Sequence, residues 1–266
     1  MPFTPAHAVV ALPFVHTPLV PAAIAIGAMT PDIPLFFRTW PPYVLTHSWI
    51  GVVTIDLVLA FALVLVWRLV LRPAVIPLTP RWFALRWPRD WLTDRGSGWW
   101  SLWGGRHASA GKRVVAGVLL VASMLLGAVT HVVWDAFTHT HRWGTHLIPF
   151  LDERTGPFYN ADIAHWVSSF FGLGVIAIWG LRWLRRQDAA ALELAMPTWA
   201  RAVVWLSLPA SLLLGFAIVT AMGEVSQTRS VLSRSGMTVA AIFLVLLAVA
   251  ALIVARNEAR HARDAR

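Results

Sequence analysis

The sequence predicts an all-α, polytopic helical membrane protein with five full transmembrane helices and a proline-broken apolar region at the N-terminus. The 266 residues are 58% hydrophobic and only 13% charged, whereas soluble chains carry about 25% charged residues. The charges are missing from several runs of roughly 20 apolar residues, the length that crosses a bilayer as a helix. Because these runs do not alternate in polarity, they indicate helices and not barrel strands.

The N-terminal apolar region, residues 8–29, is interrupted by Pro13, Pro18 and Pro21. The prolines leave two halves of about ten residues, and each half reaches only about 15 Å. The region either crosses the bilayer once with a kink or dips in and returns, and we favour the re-entrant alternative. It lacks the positive n-region of a signal peptide.

Five later runs are predicted to span the membrane: residues 49–71, 114–134, 163–183, 202–222 and 237–255. Basic residues collect between residues 71 and 113, between 182 and 201, and after 256. With five spans all three clusters fall on one side, which the positive-inside rule makes the cytoplasm. We therefore expect a cytoplasmic C-terminus, one membrane domain at 1–255, and a basic tail at 256–266.

The segment 72–113 combines basic residues with tryptophans, which is typical of a loop at the lipid headgroup layer. A partner-binding role for this loop is the alternative. The net charge of +9 follows from arginines that flank apolar runs, so it indicates membrane topology and no nucleic-acid partner. Since the chain has no cysteine, any bound metal must be held by histidines and carboxylates.

Histidines and aspartates gather at the predicted outer ends of the spans. His131, Asp135 and His139 follow one another at helical spacing and lie within about 80° of one face. His47 precedes the second apolar run, and His165 opens the run that follows His139. Imidazole and carboxylate ligands suit Zn²⁺ and similar divalent ions. Each histidine could instead be an interfacial polar residue, and Asp135 could orient a histidine without itself being a ligand.

The N-terminal region adds His7 and Asp32 to these candidates. If residues 8–29 re-enter, both side chains return to the outer face, whereas a single crossing leaves only one of them there. Gly127, one turn before His131, would let a neighbouring helix approach closely. Asp56 lies inside the second apolar run, and we expect it to be buried against another helix.

Several short motifs resemble the DUF4184 family of bacterial membrane proteins: MPFTPAH at residues 1–7, GAMTPD at 27–32, THS at 46–48, HVVWD at 131–135 and AHWVSS at 164–169. Their order is also similar to that of predicted membrane-bound metal-dependent hydrolases and of the zinc-dependent phospholipase C superfamily. This resemblance implies an all-α fold, phosphoester substrates, a bacterial cytoplasmic membrane, and the ligands His7, Asp32, His47, His131 and Asp135. The phospholipase pattern has Glu four residues after a late histidine, whereas Ser169 follows His165 here, so one or two ions are expected.

The sequence therefore predicts metal-dependent hydrolysis of a phosphoester, lipid or lipid-linked, at the outer membrane face. Asp32 is a ligand or the general base, and Arg38 is a candidate phosphate clamp or simply a headgroup-binding residue. A non-enzymatic scaffold or a metal-binding structural protein is the alternative function. A transporter ranks third, since it would need polar residues at mid-bilayer and only Asp56 lies deep. The bilayer is the partner that the sequence predicts, and it leaves the oligomeric state open.

Overall fold

Three long apolar helices dominate the computed structural model, which describes residues 4–37, 40–92, 95–191, 196–221 and 247. The first long helix is Trp49–Leu78, the second is Ala110–Thr138 and the third is Asn160–Arg185. With 30, 29 and 26 residues at about 1.5 Å per residue, each is long enough to cross a hydrocarbon core of about 30 Å. The prediction of a helical chain with helices apolar enough to cross a membrane is confirmed.

The predicted count of five spans is not supported, because the described residues contain three helices that are long and apolar enough to cross. The predicted span at 202–222 falls in the helix Thr198–Ala221, which contains Pro209. The predicted span at 237–255 and the basic tail at 256–266 lie outside the described residues, apart from Leu247. The first span was predicted to end at residue 71 and instead continues to Leu78.

Short elements connect these helices. The other α-helices are Pro21–Met29, Ile33–Phe37, Tyr43–Thr46, Arg81–Ala84, Arg95–Ser101 and Trp143–Leu147. The 3-10 helices are Thr4–Phe14, Thr30–Asp32, Arg89–Leu92 and Pro149–Asp152. A small antiparallel hairpin pairs Arg154–Thr155 with Phe158–Tyr159.

The chain divides into two compact units. The first unit comprises Met1–Val64 and Leu102–Arg182, and the second comprises Leu65–Ser101 and Trp183–Arg266. A single domain over residues 1–255 stays a prediction. All of the site residues predicted from the sequence lie in the first unit.

In the second unit, the segment predicted as a headgroup-layer loop is largely helical. Its first residues complete the first long helix, and three short helices follow. Arg72 pairs with Asp90, and the indole nitrogen of Trp205 donates a hydrogen bond to the Leu78 carbonyl at 2.9 Å. The tryptophans of this unit also contact one another, for example Trp87 and Trp91, whose ring centroids lie 4.7 Å apart.

In the first unit, the proline-broken region folds back on itself. The 3-10 helix Thr4–Phe14 packs against the helix Pro21–Met29, and Pro21 fits because the first turn of a helix needs no backbone donor there. Between them, the Val20 amide donates to the Ser123 hydroxyl of the second long helix at 2.9 Å. The two ends of the region consequently return to one place, as the re-entrant interpretation expects.

A glycine pair lets the helix Pro21–Met29 cross the second long helix with backbone touching backbone. A Cβ on Gly127 would lie 2.1 Å from the Ile24 carbonyl oxygen, and one on Gly27 would lie 2.2 Å from that of Met124. Real Cβ atoms do not approach so closely, so each position requires glycine. The close approach predicted at Gly127 is confirmed.

Candidate metal centre

Three segments of the first unit bring four ligand residues together. Asp32 ends the 3-10 turn after the helix Pro21–Met29, and His47 comes two residues before the first long helix. His131 and Asp135 lie one turn apart in the last turns of the second long helix. One ligand atom from each residue lies within 4.8 Å of all the others.

The distances between these atoms leave room for one ion at their centre. His47 Nε2 lies 3.7 Å from Asp32 Oδ1 and 3.5 Å from Asp135 Oδ2. His131 Nε2 lies 3.6 Å from each of the same two oxygens. A tetrahedral ion with bonds of about 2.0–2.1 Å separates its ligand atoms by about 3.3–3.4 Å. The observed spacing is slightly wider, so small side-chain shifts would complete the coordination.

Backbone carbonyls fix the two imidazoles in the tautomer that an ion requires. His131 Nδ1 lies 2.7 Å from the Ala28 carbonyl oxygen, and His47 Nδ1 lies 3.1 Å from that of Tyr43. Because a carbonyl only accepts, each Nδ1 carries a proton, which leaves each Nε2 as the ring nitrogen that can bind an ion. Both Nε2 atoms are buried, and no described residue gives them a hydrogen-bond partner. The centre is therefore preorganised for a cation.

The two carboxylates have different surroundings. The Thr4 hydroxyl donates to Asp32 Oδ2 at 2.7 Å, which leaves Asp32 Oδ1 to face the imidazoles. Asp135 Oδ2 also faces them, whereas Asp135 Oδ1 is buried without a hydrogen-bond partner in the described part of the chain. The four side chains are between 0 and 4% exposed. Two buried carboxylates beside two imidazole nitrogens favour a divalent cation.

The sequence match agrees with the motifs that frame this centre. The family described as a domain of unknown function, DUF4184, matches residues 1–255. The chain belongs to this family. No curated protein matches the DUF4184 chain, and no solved structure matches it. Membership thus covers all four ligand residues, while an argument for their function has to come from the site itself.

The other three predicted ligands of the DUF4184 chain flank the four-residue group. His7 Nε2 lies 3.6 Å from Asp135 Oδ1, and the His7 ring lies 4.1 Å from that of His131. His139 Nδ1 lies 3.1 Å from the Asp135 carbonyl oxygen, and its ring lies 4.9 Å from that of His165. These three histidines line the wall of the centre and do not complete its group of four.

Burial keeps two of the flanking imidazoles neutral. Burial, reinforced by the neighbouring His131, lowers the pKa of His7 from 6.5 to about 4. Burial also lowers the pKa of His139, although the Asp135 carboxylate partly opposes this shift. Both rings therefore keep a lone pair at neutral pH.

Two contributors to the site carry no signal that the sequence analysis recognised. Thr4 fixes Asp32 through its hydroxyl, and the Tyr43 ring stacks on the His47 imidazole with centroids 3.8 Å apart. Burial raises the pKa of Tyr43, so its phenol stays protonated. Thr4 lies three residues before His7, and Tyr43 lies four residues before His47. Their closeness to predicted ligands was the signal that could have identified them.

Asp56, a further candidate from the sequence, is not one of the four ligands. Asp56 is fully buried in the first long helix, and no described residue hydrogen bonds to its carboxylate oxygens. Arg38, the candidate phosphate clamp, lies outside the described residues.

Proposed function

We propose that this DUF4184 protein is a membrane-embedded, metal-dependent hydrolase that acts on a phosphoester. The observation that carries the proposal is the convergence of Asp32, His47, His131 and Asp135, whose four ligand atoms lie within 4.8 Å of one another. Zn²⁺ is the preferred ion because nitrogen and oxygen ligands in a compact four-residue group suit it. One ion fits the group. The metal content per chain tests whether the flanking histidines bind a second ion.

Each side chain has a defined task in this proposal. The four ligands hold a divalent ion, which when bound polarises a phosphoryl oxygen and activates water. Thr4 occupies one oxygen of Asp32, which favours a ligand role for Asp32 over the general-base role. The backbone carbonyls of Ala28 and Tyr43 orient the imidazoles, so little reorganisation is needed when the ion binds.

The position of the site supports a lipid or lipid-linked substrate. His47 comes two residues before the first long helix, and His131 and Asp135 lie in the last turns of the second, which places them close to one end of the apolar spans. The basic segment 72–113 follows the other end of the first long helix, so by the positive-inside rule the site lies at the outer face of the bacterial cytoplasmic membrane. A phosphoester carried by a lipid would meet the ion at this depth.

One observation favours a second function, a structural metal site without catalysis. The ligand side chains are at most 4% exposed, and closed coordination is typical of structural ions. In that case the ion would tie the helix Pro21–Met29 to the first and second long helices. Both functions require the same metal, so metal content does not distinguish them. Hydrolytic activity does.

The decisive measurement is the metal content of the full-length protein, purified in detergent and analysed by inductively coupled plasma mass spectrometry. We expect about one zinc per chain, and loss of most of it in His131→Ala and in Asp135→Ala because each removes one of four ligands. His146→Ala is the matched control, since His146 is exposed on the helix Trp143–Leu147 and should keep the metal.

Hydrolysis of bis(p-nitrophenyl) phosphate by the same samples then tests the chemistry. Wild type and His146→Ala should release p-nitrophenolate, and a chelator or either ligand substitution should reduce the rate at least a hundredfold. Full metal content in both ligand variants would remove the site. Bound metal without hydrolysis of any phosphoester would select the structural function.

A further inference from the structure

A guanidinium group lies at the rim of the metal centre, outside its ligand group. The second long helix ends at Thr138, and Arg142 follows directly before the short helix Trp143–Leu147. Arg142 Cζ lies 5.7 Å from the Tyr43 ring centroid. Since the Tyr43 ring also stacks on His47, one phenol ring borders both the guanidinium and a ligand imidazole.

The backbone that carries Arg142 is held in one conformation. His141 has a φ of 58°, a left-handed geometry that side-chain-bearing residues rarely adopt. The His141 amide donates to Asp152 Oδ1 at 3.0 Å, and the Arg142 amide donates to the Thr145 hydroxyl at 3.2 Å. The next residue but one, Gly144, packs so tightly that a Cβ there would lie 2.5 Å from the Ala136 carbonyl oxygen. These contacts fix the backbone on both sides of Arg142.

The charge of Arg142 has no counterion within the described part of the chain. No described carboxylate lies within ion-pair distance of its guanidinium, and Asp152, which contacts the same turn, accepts the His141 amide. Its charge acts on Tyr43 and on His139. A half-buried guanidinium without a carboxylate is suited to bind an oxyanion, because its planar fork matches two oxygens.

The exposure of the site residues shows on which side an anion would enter. The four ligand side chains are at most 4% exposed, and the His139 side chain is 26% exposed. The most accessible side of the centre is therefore the one formed by His139, and Arg142 is close enough for its charge to act on His139. An anion that approaches the ion from this side enters the field of the guanidinium.

We propose that Arg142 binds the phosphoryl group of the substrate or product at the metal centre, with one phosphate oxygen towards the ion and others towards the guanidinium. This inference rests on the proposed hydrolase function and names the group that the site recognises, a phosphate with at least two free oxygens. Tyr43 is then a positioning residue, because its ring borders both the guanidinium and His47. The sequence suggested Arg38 for the phosphate-binding role that Arg142 has in this proposal.

Isothermal titration of inorganic phosphate into the zinc-loaded, full-length protein in detergent tests the proposal. Arg142→Gln should raise the Kd for phosphate about tenfold to a hundredfold, the loss expected for a charge-assisted hydrogen-bond pair. The Kd of Arg142→Lys should lie between those of wild type and Arg142→Gln, because lysine keeps the charge but lacks the planar pair of donors. Arg154→Gln is the matched control, since Arg154 also covers a tyrosine ring, Tyr159 at 4.4 Å, and it should change the Kd less than twofold.

Zinc content, measured on every sample, separates the two proposals. Zinc bound in wild type and in Arg142→Gln, with equal phosphate affinity, would overturn the role of Arg142 and leave the hydrolase proposal standing. Loss of zinc from Arg142→Gln would also overturn it, because Arg142 would then support the ion and not the anion. Absence of zinc from wild type would overturn the hydrolase proposal, on which this inference depends.

Discussion

Two buried aspartates of this protein show how differently the same side chain can be used. Asp135 directs one oxygen at two imidazoles in the metal centre. Asp56 is equally buried, but its oxygens have no hydrogen-bond partner among the described residues. Taking a charged carboxylate out of water without compensation costs several kcal/mol. Asp135 can recover this cost from an ion, and Asp56 has no comparable compensation in the described structure.

Asp56→Asn therefore tests whether the buried carboxylate belongs to the metal centre. The amide has the same shape without the charge, so we expect unchanged zinc content, an unchanged rate of phosphodiester hydrolysis, and a thermal unfolding temperature that is equal or higher. Metal analysis and thermal unfolding in detergent measure these quantities. A loss of bound zinc would make Asp56 part of the site, and an unaltered hydrolase would argue against the transporter alternative.

At the scale of single residues, the sequence predicted the ligands better than their supports. His131 and Asp135 were predictable because helical spacing alone places them on one face. The Ala28 and Tyr43 carbonyls that orient the imidazoles were not, since backbone carbonyls carry no residue-type signal. Thr4 and Arg142 were missed for a related reason, because their roles arise from chain reversals that bring distant segments together.

At the scale of elements, the glycine crossing is what places Asp32 beside His131. Gly27 and Gly127 let the backbones of the helix Pro21–Met29 and the second long helix approach each other closely. The Ala28 carbonyl, next to Gly27, then reaches His131 Nδ1 at 2.7 Å. The metal centre thus depends on a contact between two helices one turn below the ligands.

Gly127→Ala should separate these helices, because its Cβ would lie 2.1 Å from the Ile24 carbonyl oxygen and 2.6 Å from the Ala28 amide nitrogen. We expect a free energy of unfolding lower by about 1–3 kcal/mol and weaker zinc binding, measured by thermal unfolding and by competition with a chelator. Gly174→Ala in the third long helix is the control, because a Cβ there meets nothing within 4 Å. Equal behaviour of the two variants would contradict the account.

At this scale, the end of the first long helix is a feature that the sequence did not predict. The first span was predicted to end at residue 71, before Pro73 and Pro77, yet the helix continues through both prolines to Leu78. A π-type turn over Trp67–Leu71 precedes the prolines, and such turns shift the hydrogen-bond ladder in a way that propensity does not predict. The fold of residues 8–29 was easier to anticipate, because three prolines leave two halves too short to span.

At the scale of the whole molecule, orientation in the membrane decides which compartment supplies the substrate. The three basic clusters predict that the segment 72–113 is cytoplasmic, so the segment between the second and third long helices should face outward. Because the chain has no cysteine, a single introduced thiol reports the side of the membrane on which it lies. Gly144, in the outward segment, is unsuitable for this purpose, since a Cβ there would clash with the Ala136 carbonyl oxygen.

Glu153 and His107 are better positions, because both are exposed and lie in the two segments that the topology assigns to opposite sides. Glu153→Cys should react with a membrane-impermeant maleimide in intact cells, and His107→Cys should react only after the membrane is permeabilised. The ratio of labelling before and after permeabilisation measures this difference and controls for thiol reactivity. The reverse pattern would place the metal centre, which lies at the Glu153 end of the second long helix, in the cytoplasm, and the substrate would then have to be a cytoplasmic phosphoester.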